Sequence, residues 1–143
     1  MGKINWARVI LGGLLAGVVI NVAEGIQGMI LKEEWAAAMA AMGVDMKAME
    51  ENVAVMTSFL VFGFVIGLFA VWFYAAIRPR YGPGPKTAAC AGIAVWFLGY
   101  LMCLVGPAMM GLFPLRLVLI SSGVALVEYI LATELGAWLY KEA

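Results

Sequence analysis

The chain has 143 residues, of which 65% are apolar and only 13% are charged, and its mean hydropathy is +1.00. A soluble domain carries about 25% charged residues, and one this short has too much surface to hide so much apolar material, so lipid is the expected solvent. Nine basic and nine acidic residues cancel, which leaves no basic field for nucleic acid, and the lack of histidine removes the commonest general base and metal ligand.

Four apolar stretches are long enough to cross the hydrocarbon core of a bilayer, which takes about 20 helical residues. They cover approximately residues 9–31, 53–77, 87–112 and 115–140. We therefore expect an all-α fold, a single integral membrane domain in which four transmembrane helices form a bundle. The first stretch begins with basic residues like a signal peptide, but no small-residue cleavage site follows, so we expect it to remain as a span.

The segment between spans one and two has the periodicity of an amphipathic helix over about residues 33–51. Apolar side chains recur every three or four residues and form one stripe along the helix. The stripe comprises Trp35, Met39, Met42, Met46 and Met49. It predicts either a helix that lies on the membrane or over the bundle, or a docking surface for a protein partner, because methionine adapts to irregular surfaces. Gly43 and Asp45 mark a point where the helix can break.

Prolines predict where spans two and three end. Pro79, Pro83 and Pro85 fall within seven residues, so we expect span two to end at about Ile77 and a turn to follow. The pair Gly106-Pro107 is expected to kink or end span three.

Basic residues are distributed unequally between the two ends of the spans. Six lie at the end with both termini and the loop between spans two and three, and three lie at the other end. The six are Lys3, Arg8, Arg78, Arg80, Lys86 and Lys141, and the three are Lys32, Lys47 and Arg116. Because short loops rich in lysine and arginine stay in the cytoplasm, we expect both termini to be cytoplasmic.

Small residues at helical spacing predict where the spans pack together. Two faces have this pattern, one in span one with Gly13, Gly17, Asn21, Glu24 and Gly28, and one in span four with Ser121, Ala125, Glu128, Ala132 and Gly136. We expect spans one and four to pack against each other or a common centre, with both carboxyl groups turned inward. Gly63 and Gly67 are a further small pair in span two.

Polar groups at membrane depth are costly to bury and are often functional. The candidate polar site comprises Asn21, Glu24, Gln27, Arg116, Ser121 and Glu128. Without a cation nearby, a buried carboxyl group is expected to keep its proton, and Arg116 is the only basic residue placed to pair with Glu24. The two glutamates are interpreted as hydrogen-bonded packing groups, as a proton or cation site, or as contacts for a pigment, quinone or lipid headgroup.

The order of landmarks is similar to the DUF1761 family of small bacterial membrane proteins, whose function is not established. The resemblance rests on Ile4-Asn5-Trp6, Trp35, Gly43, Trp96, Pro107, the run Pro114–Leu117, Ile120, Gly123 and Gly136-Ala137-Trp138. It implies a bacterial cytoplasmic (inner) membrane. The chain departs from the pattern after the first span, where it has Glu24, Gln27 and Gly28 instead of aromatic residues.

These features predict a non-enzymatic protein, either a structural or accessory subunit of a membrane complex or a homo-oligomer. The sequence offers no nucleophile with a base and no metal-ligand spacing, so no catalytic residue, metal or other cofactor is expected. The expected partners are the lipid bilayer and other membrane subunits, with no nucleic acid. The alternative is a small oligomeric proton-coupled transporter or channel that uses Glu24 and Glu128.

Overall fold

A computed structural model describes residues 4–141, and every regular element in that range is a helix. In chain order these are α1 (Trp6–Ile30), α2 (Lys32–Ala41), α3 (Met46–Glu51), α4 (Val53–Tyr81), α5 (Pro85–Trp96), a π-helical segment (Phe97–Leu101), α6 (Met102–Met109) and α7 (Leu115–Trp138). Helices α1, α4 and α7 and the continuous run Pro85–Met109 are long and apolar enough to cross a membrane. The prediction of an all-α membrane protein with four spans is confirmed. Lys3, counted in the charge bias, lies outside the described residues.

Helices α4 and α7 form the central pair of the bundle. They contact each other, and each also packs against both α1 and α5. Helix α1 and the third span therefore occupy opposite corners. We call one end of the bundle the termini end; it carries the start of α1, the α4–α5 turn and the end of α7. The opposite end, the α2–α3 end, carries α2, α3 and the α6–α7 loop.

Helix α1 lies against α4 at glycines from both helices. A Cβ atom added at Gly67 would lie 2.6 Å from the Gly13 carbonyl oxygen and 2.7 Å from the Gly17 Cα atom. One turn further along, Asn21 donates through Nδ2 to the carbonyl oxygens of Gly17 (2.8 Å) and Leu60 (3.2 Å). Spans one and four were expected to pack against each other or a common centre, and α1 does contact α7, but its residues Gly13 and Gly17 lie against α4.

Helix α1 meets α7 through a neighbouring line of residues. A Cβ atom added at Gly136 would lie 2.7 Å from the Gly12 carbonyl oxygen and 3.2 Å from the Ala16 Cβ atom. Residue 12 is turned by about 100° from residue 13 on the helix, so α1 uses adjacent faces for its two neighbours. Gly28, which the pattern placed on the packing face, is exposed, and an added Cβ atom there would meet nothing within 4 Å.

The turn between spans two and three is shorter than its prolines suggest. Helix α4 continues through Pro79 to Tyr81, although proline has no N–H to donate, and ends where Gly82 takes a φ of 84°. The Thr87 hydroxyl donates to the Gly82 carbonyl oxygen at 2.8 Å, and the Gly84 N–H donates to the Tyr74 hydroxyl at 3.3 Å. The prolines thus fix a three-residue connection, and span two ends four residues later than expected.

The segment between spans one and two forms two helices rather than one. Gly43, with a φ of 76°, follows α2, and the Asp45 carboxylate caps α3 by accepting from the Lys47 N–H at 2.9 Å. A Lys32–Glu50 ion pair of 2.7 Å joins the two helices. The break lies where glycine and aspartate mark it in the sequence.

The apolar stripe of this segment is half-buried, and its first residue packs against the bundle. Trp35 packs edge-on against Phe113 at 5.2 Å between ring centroids, beside a cluster of Leu31, Ala38 and Leu117. The four methionines, Met39, Met42, Met46 and Met49, are half-buried. Helix α2 is thus held over the start of α7, while the methionine part of the stripe stays accessible.

We expect Gly67→Ala to lower the free energy of unfolding by about 1–3 kcal/mol, because its Cβ atom would force α1 away from α4. Gly28→Ala, in an open position, should change it by less than about 0.5 kcal/mol. Circular dichroism during detergent denaturation measures both. Equal stability of the two variants would contradict the close approach of α1 to α4.

Candidate intramembrane polar site

The Gln27 side chain connects two opposite corners of the bundle. It is only 5% exposed, and its Nε2 atom donates to the Tyr100 hydroxyl at 3.3 Å and to a Glu24 carboxylate oxygen at 3.4 Å. Helix α1 and the third span otherwise have few contacts. This pair of hydrogen bonds therefore closes the bundle at the α2–α3 end with polar groups instead of apolar packing.

Tyr100 reaches this position from the π-helical segment of span three. The Met102 N–H donates to the Phe97 carbonyl oxygen, five residues back, and this wider turn rotates the residues that follow it. The Trp96 indole N–H donates to the Ser122 carbonyl oxygen at 2.9 Å and fixes the segment on α7. Tyr100 then packs edge-on against Tyr129, with ring centroids 6.0 Å apart. Short π-helical segments inside α-helices occur frequently at functional sites.

Helix α7 supplies the most deeply buried part of the site. Glu128 is 4% exposed and Ser121 is fully buried. Neither the two carboxylate oxygens of Glu128 nor the Ser121 hydroxyl has a hydrogen-bond partner among the described residues, and the Gln27 side-chain oxygen has none either. An unsatisfied buried polar atom costs about 1–3 kcal/mol, so this group of acceptors calls for an explanation.

The two carboxyl groups belong to α1 and α7, which pack against each other. Side chains on a helix tilt toward its N-terminus, and α1 and α7 run in opposite directions, so Glu24 and Glu128 lean toward each other along the bundle axis. They do not hydrogen-bond directly, since Glu24 bonds to Gln27 and the Glu128 oxygens have no partner within residues 4–141. Glu24 therefore has a polar partner in Gln27, whereas Glu128 has none among the described residues.

Arg116 does not neutralise either carboxyl group. Its guanidinium group pairs with Glu34 at 3.1 Å on the surface, where the Arg116 side chain is 75% exposed. The expected pairing with Glu24 fails because α2 folds over the start of α7 and brings Glu34 to Arg116. Lys32, a second basic side chain near this end, is paired with Glu50.

Four of the six residues predicted for the polar site come together, and two do not. Glu24, Gln27, Ser121 and Glu128 share the interior of the α2–α3 half, whereas Asn21 belongs to the α1–α4 contact and Arg116 to the surface. The sequence prediction missed Tyr100 and Tyr129. A tyrosine inside an apolar span is itself a signal, because its hydroxyl needs a partner. No group of three metal-ligating side chains occurs in the part of the chain that the structure describes.

We expect the hydrogen bond between Gln27 and Tyr100 to appear as an energetic coupling. In a double-mutant cycle, Gln27→Leu and Tyr100→Phe should be non-additive by about 0.5–1.5 kcal/mol, the range of interhelical hydrogen bonds in membranes. Replacing Tyr100→Phe in the cycle by Tyr74→Phe, at the termini end, should give a coupling near zero. Additive effects in both cycles would refute the contact.

Comparison with known proteins yields no relative for this chain. No protein-family model, no curated protein and no solved structure matches it. The resemblance to the DUF1761 family therefore stays a prediction from its landmark residues. The function must be argued from the polar site itself.

Proposed function

We propose that this chain is a small proton-coupled carrier or channel in which Glu24 and Glu128 take up and release protons inside the membrane. The observation that carries the proposal is the Glu128 carboxyl group, which is 4% exposed near the middle of a membrane-spanning helix and has no partner within the described range. Ionisable groups at such depth mark ion pathways and proton relays more often than packing sites.

The depths of the polar groups support a pathway that reaches the middle of the bundle. Counted at 1.5 Å per residue from the helix ends, Glu24 lies about 9 Å, Tyr100 about 14 Å and Glu128 about 20 Å from the α2–α3 end. Glu24 is half-buried and forms the accessible step, while Glu128 is the innermost. Beyond Glu128 the glycine contacts of α1 with α4 and α7 close the bundle toward the termini end. A line of polar groups from one side to mid-membrane is compatible with an alternating-access carrier, whose binding site lies near the bilayer midplane.

The charge bias of the loops gives this pathway a direction. We place the protein in a bacterial inner membrane with both termini in the cytoplasm, which puts the α2–α3 end outside. Among the described residues the termini end carries Arg8, Arg78, Arg80, Lys86 and Lys141. Glu24 then exchanges protons with the outer side, and Glu128 requires a change in the bundle to reach the cytoplasm.

We expect Glu128→Gln to lower proton-linked flux by about 100-fold or more, because the amide keeps the shape of the side chain but cannot carry an exchangeable acid proton. The assay follows acidification of the lumen of proteoliposomes under an imposed membrane potential. The matched control is Glu134→Gln, one to two turns along the same helix toward the termini end, where the side chain is half-buried. A wild-type flux that Glu128→Gln leaves unchanged would sink the proposal.

A second candidate function is the accessory subunit or homo-oligomer, and exposed glycines favour it. Gly25 and Gly28 of α1, Gly99 and Gly106 of span three and Gly123 of α7 face outward, with nothing within 4 Å of an added Cβ atom. Glycine offers little surface to lipid but lets another helix approach closely. The two candidate functions are compatible, because a carrier of this size can assemble as an oligomer.

We expect the protein purified in mild detergent to contain more than one polypeptide per particle. Gly28→Leu should shift it toward the monomer, because the new side chain would separate helices that meet at this surface. Ala37→Leu, at an exposed position of α2 outside the spans, should not. Light scattering coupled to size-exclusion chromatography gives the protein mass. A wild-type protein that is monomeric at all concentrations would count against the subunit role.

A further inference from the structure

We propose that the termini end of the bundle binds the headgroups of anionic phospholipids in the leaflet that surrounds it. The observation that carries this inference is an exposed cation on each of the four spans at that end. The inference goes beyond the proposed function and does not depend on it, because it concerns the outer surface of the bundle and not the polar site in its interior.

The basic side chains of the termini end lack partners of opposite charge. The exposed ones are Arg8 of α1, Arg80 of α4, Lys86 of α5 and Lys141, which follows α7. No ion pair within residues 4–141 involves these four side chains. Glu134, the one acidic residue that the structure describes at this end, is half-buried, and Lys3 and Glu142, outside the described residues, carry one charge of each sign. The four cations therefore need anions from outside the chain.

Two tyrosines hold the ends of the four spans together, so the cations surround one centre. The Tyr140 hydroxyl, after α7, accepts from the Asn5 N–H at the start of α1 at 3.3 Å. The Tyr140 ring packs edge-on against Tyr74 of α4 at 6.0 Å between centroids, and the Tyr74 hydroxyl accepts from the Gly84 N–H before α5 at 3.3 Å. Each of the four cations lies within about two helical turns of one of these contacts along the chain. They therefore form one positive surface on a packed framework.

Exposed aromatic rings place this surface at the depth of lipid headgroups. Trp6, Tyr81 and Trp138 are exposed at the termini end, each one turn or less from one of the cations. Tryptophan and tyrosine favour the boundary between hydrocarbon and headgroups. No tryptophan or tyrosine of the described residues is exposed at the α2–α3 end. Cations beside such rings reach the phosphate groups of lipids, because their apolar stems extend along the hydrocarbon, so the partner is a phospholipid and not a soluble anion.

The α2–α3 end has the opposite charge balance. Its acidic residues outnumber its basic ones, with Glu33, Glu34, Asp45, Glu50 and Glu51 against Lys32, Lys47 and Arg116. Two of these basic side chains, Lys32 and Arg116, are already paired with carboxylates. An anionic headgroup is therefore attracted at the termini end and repelled at the α2–α3 end. The protein should thus select anionic lipid in one leaflet only.

The test compares spin-labelled phosphatidylglycerol with spin-labelled phosphatidylcholine by electron paramagnetic resonance, using the full-length protein in phosphatidylcholine liposomes. We expect phosphatidylglycerol to associate about two- to threefold more strongly, averaged over both leaflets, because a nearby cation raises the affinity about fivefold and only one leaflet gains it. The ratio should fall close to one in the triple variant Arg80→Gln, Lys86→Gln and Lys141→Gln. The matched control, Lys32→Gln, Lys47→Gln and Arg116→Gln, should keep the wild-type ratio, since its end contributes little anionic lipid. All six side chains are exposed.

Three results would overturn the assignment. One is a wild-type ratio near one, and another is an equal fall of the ratio in both triple variants, which would mean that the total charge and not this surface attracts the lipid. The third is a preference that stays undiminished in about 1 M NaCl, where the Debye length is about 3 Å and headgroup charge is screened. None of these results changes the expectation for proton flux through Glu128, so the two proposals fail separately.

Discussion

The close backbone approach of α1 to both α4 and α7 is the constraint on which the rest of the bundle depends. Gly67 fits between Gly13 and Gly17, and Gly136 fits against Gly12, at separations that leave no room for a Cβ atom. In lipid the hydrophobic effect does not bring helices together, so close van der Waals packing between small residues stabilises their association. Two contacts on adjacent faces fix both the position of α1 and its rotation about its own axis.

That rotation determines where the polar residues of α1 point. At 100° per residue, Glu24 and Gln27 fall between the face that meets α4 and the face that meets α7. They are therefore aimed across the diagonal of the bundle, at the corner that the third span occupies. The hydrogen bond from Gln27 to Tyr100 is the consequence, and the π-helical segment on the other side supplies the matching rotation. Glycines in the termini half thus position polar groups in the α2–α3 half.

The sequence predicts the spans well, because each span is recognised from the length and hydropathy of one continuous stretch. That length must match the thickness of the hydrocarbon core. The sequence predicts less well which face meets which helix. Gly13 and Gly17 were correctly recognised as packing residues, but only the opposing Gly67 decides that they meet α4. Arg116 was assigned to Glu24 on depth alone, while the fold of α2 brings Glu34 to it. These outcomes depend on pairs of residues distant in sequence.

The polar site shows the same division between local and distant information. Glu128 is an acidic residue in an otherwise apolar stretch, so the sequence alone identifies it as a candidate for the polar site. Tyr100 gives a weaker signal, because a tyrosine in a span usually lies near an interface, and the residue types of Phe97–Leu101 do not indicate a π-helical turn. Its role appears only when the wider turn and the Trp96 hydrogen bond to α7 are known together.

Tight packing elsewhere in the bundle offsets the cost of the buried oxygens that have no hydrogen-bond partner among the described residues. Each costs about 1–3 kcal/mol, and the four at Glu128, Ser121 and Gln27 are tolerable only if tight packing elsewhere holds the bundle together. The two glycine contacts and the tyrosine cluster at the termini end, where Tyr74 and Tyr140 pack edge-on at 6.0 Å, provide that packing. The bundle is therefore closed firmly on one side of Glu128 and loosely on the other. The looser side is the α2–α3 half, where the Gln27 side chain connects α1 to the third span.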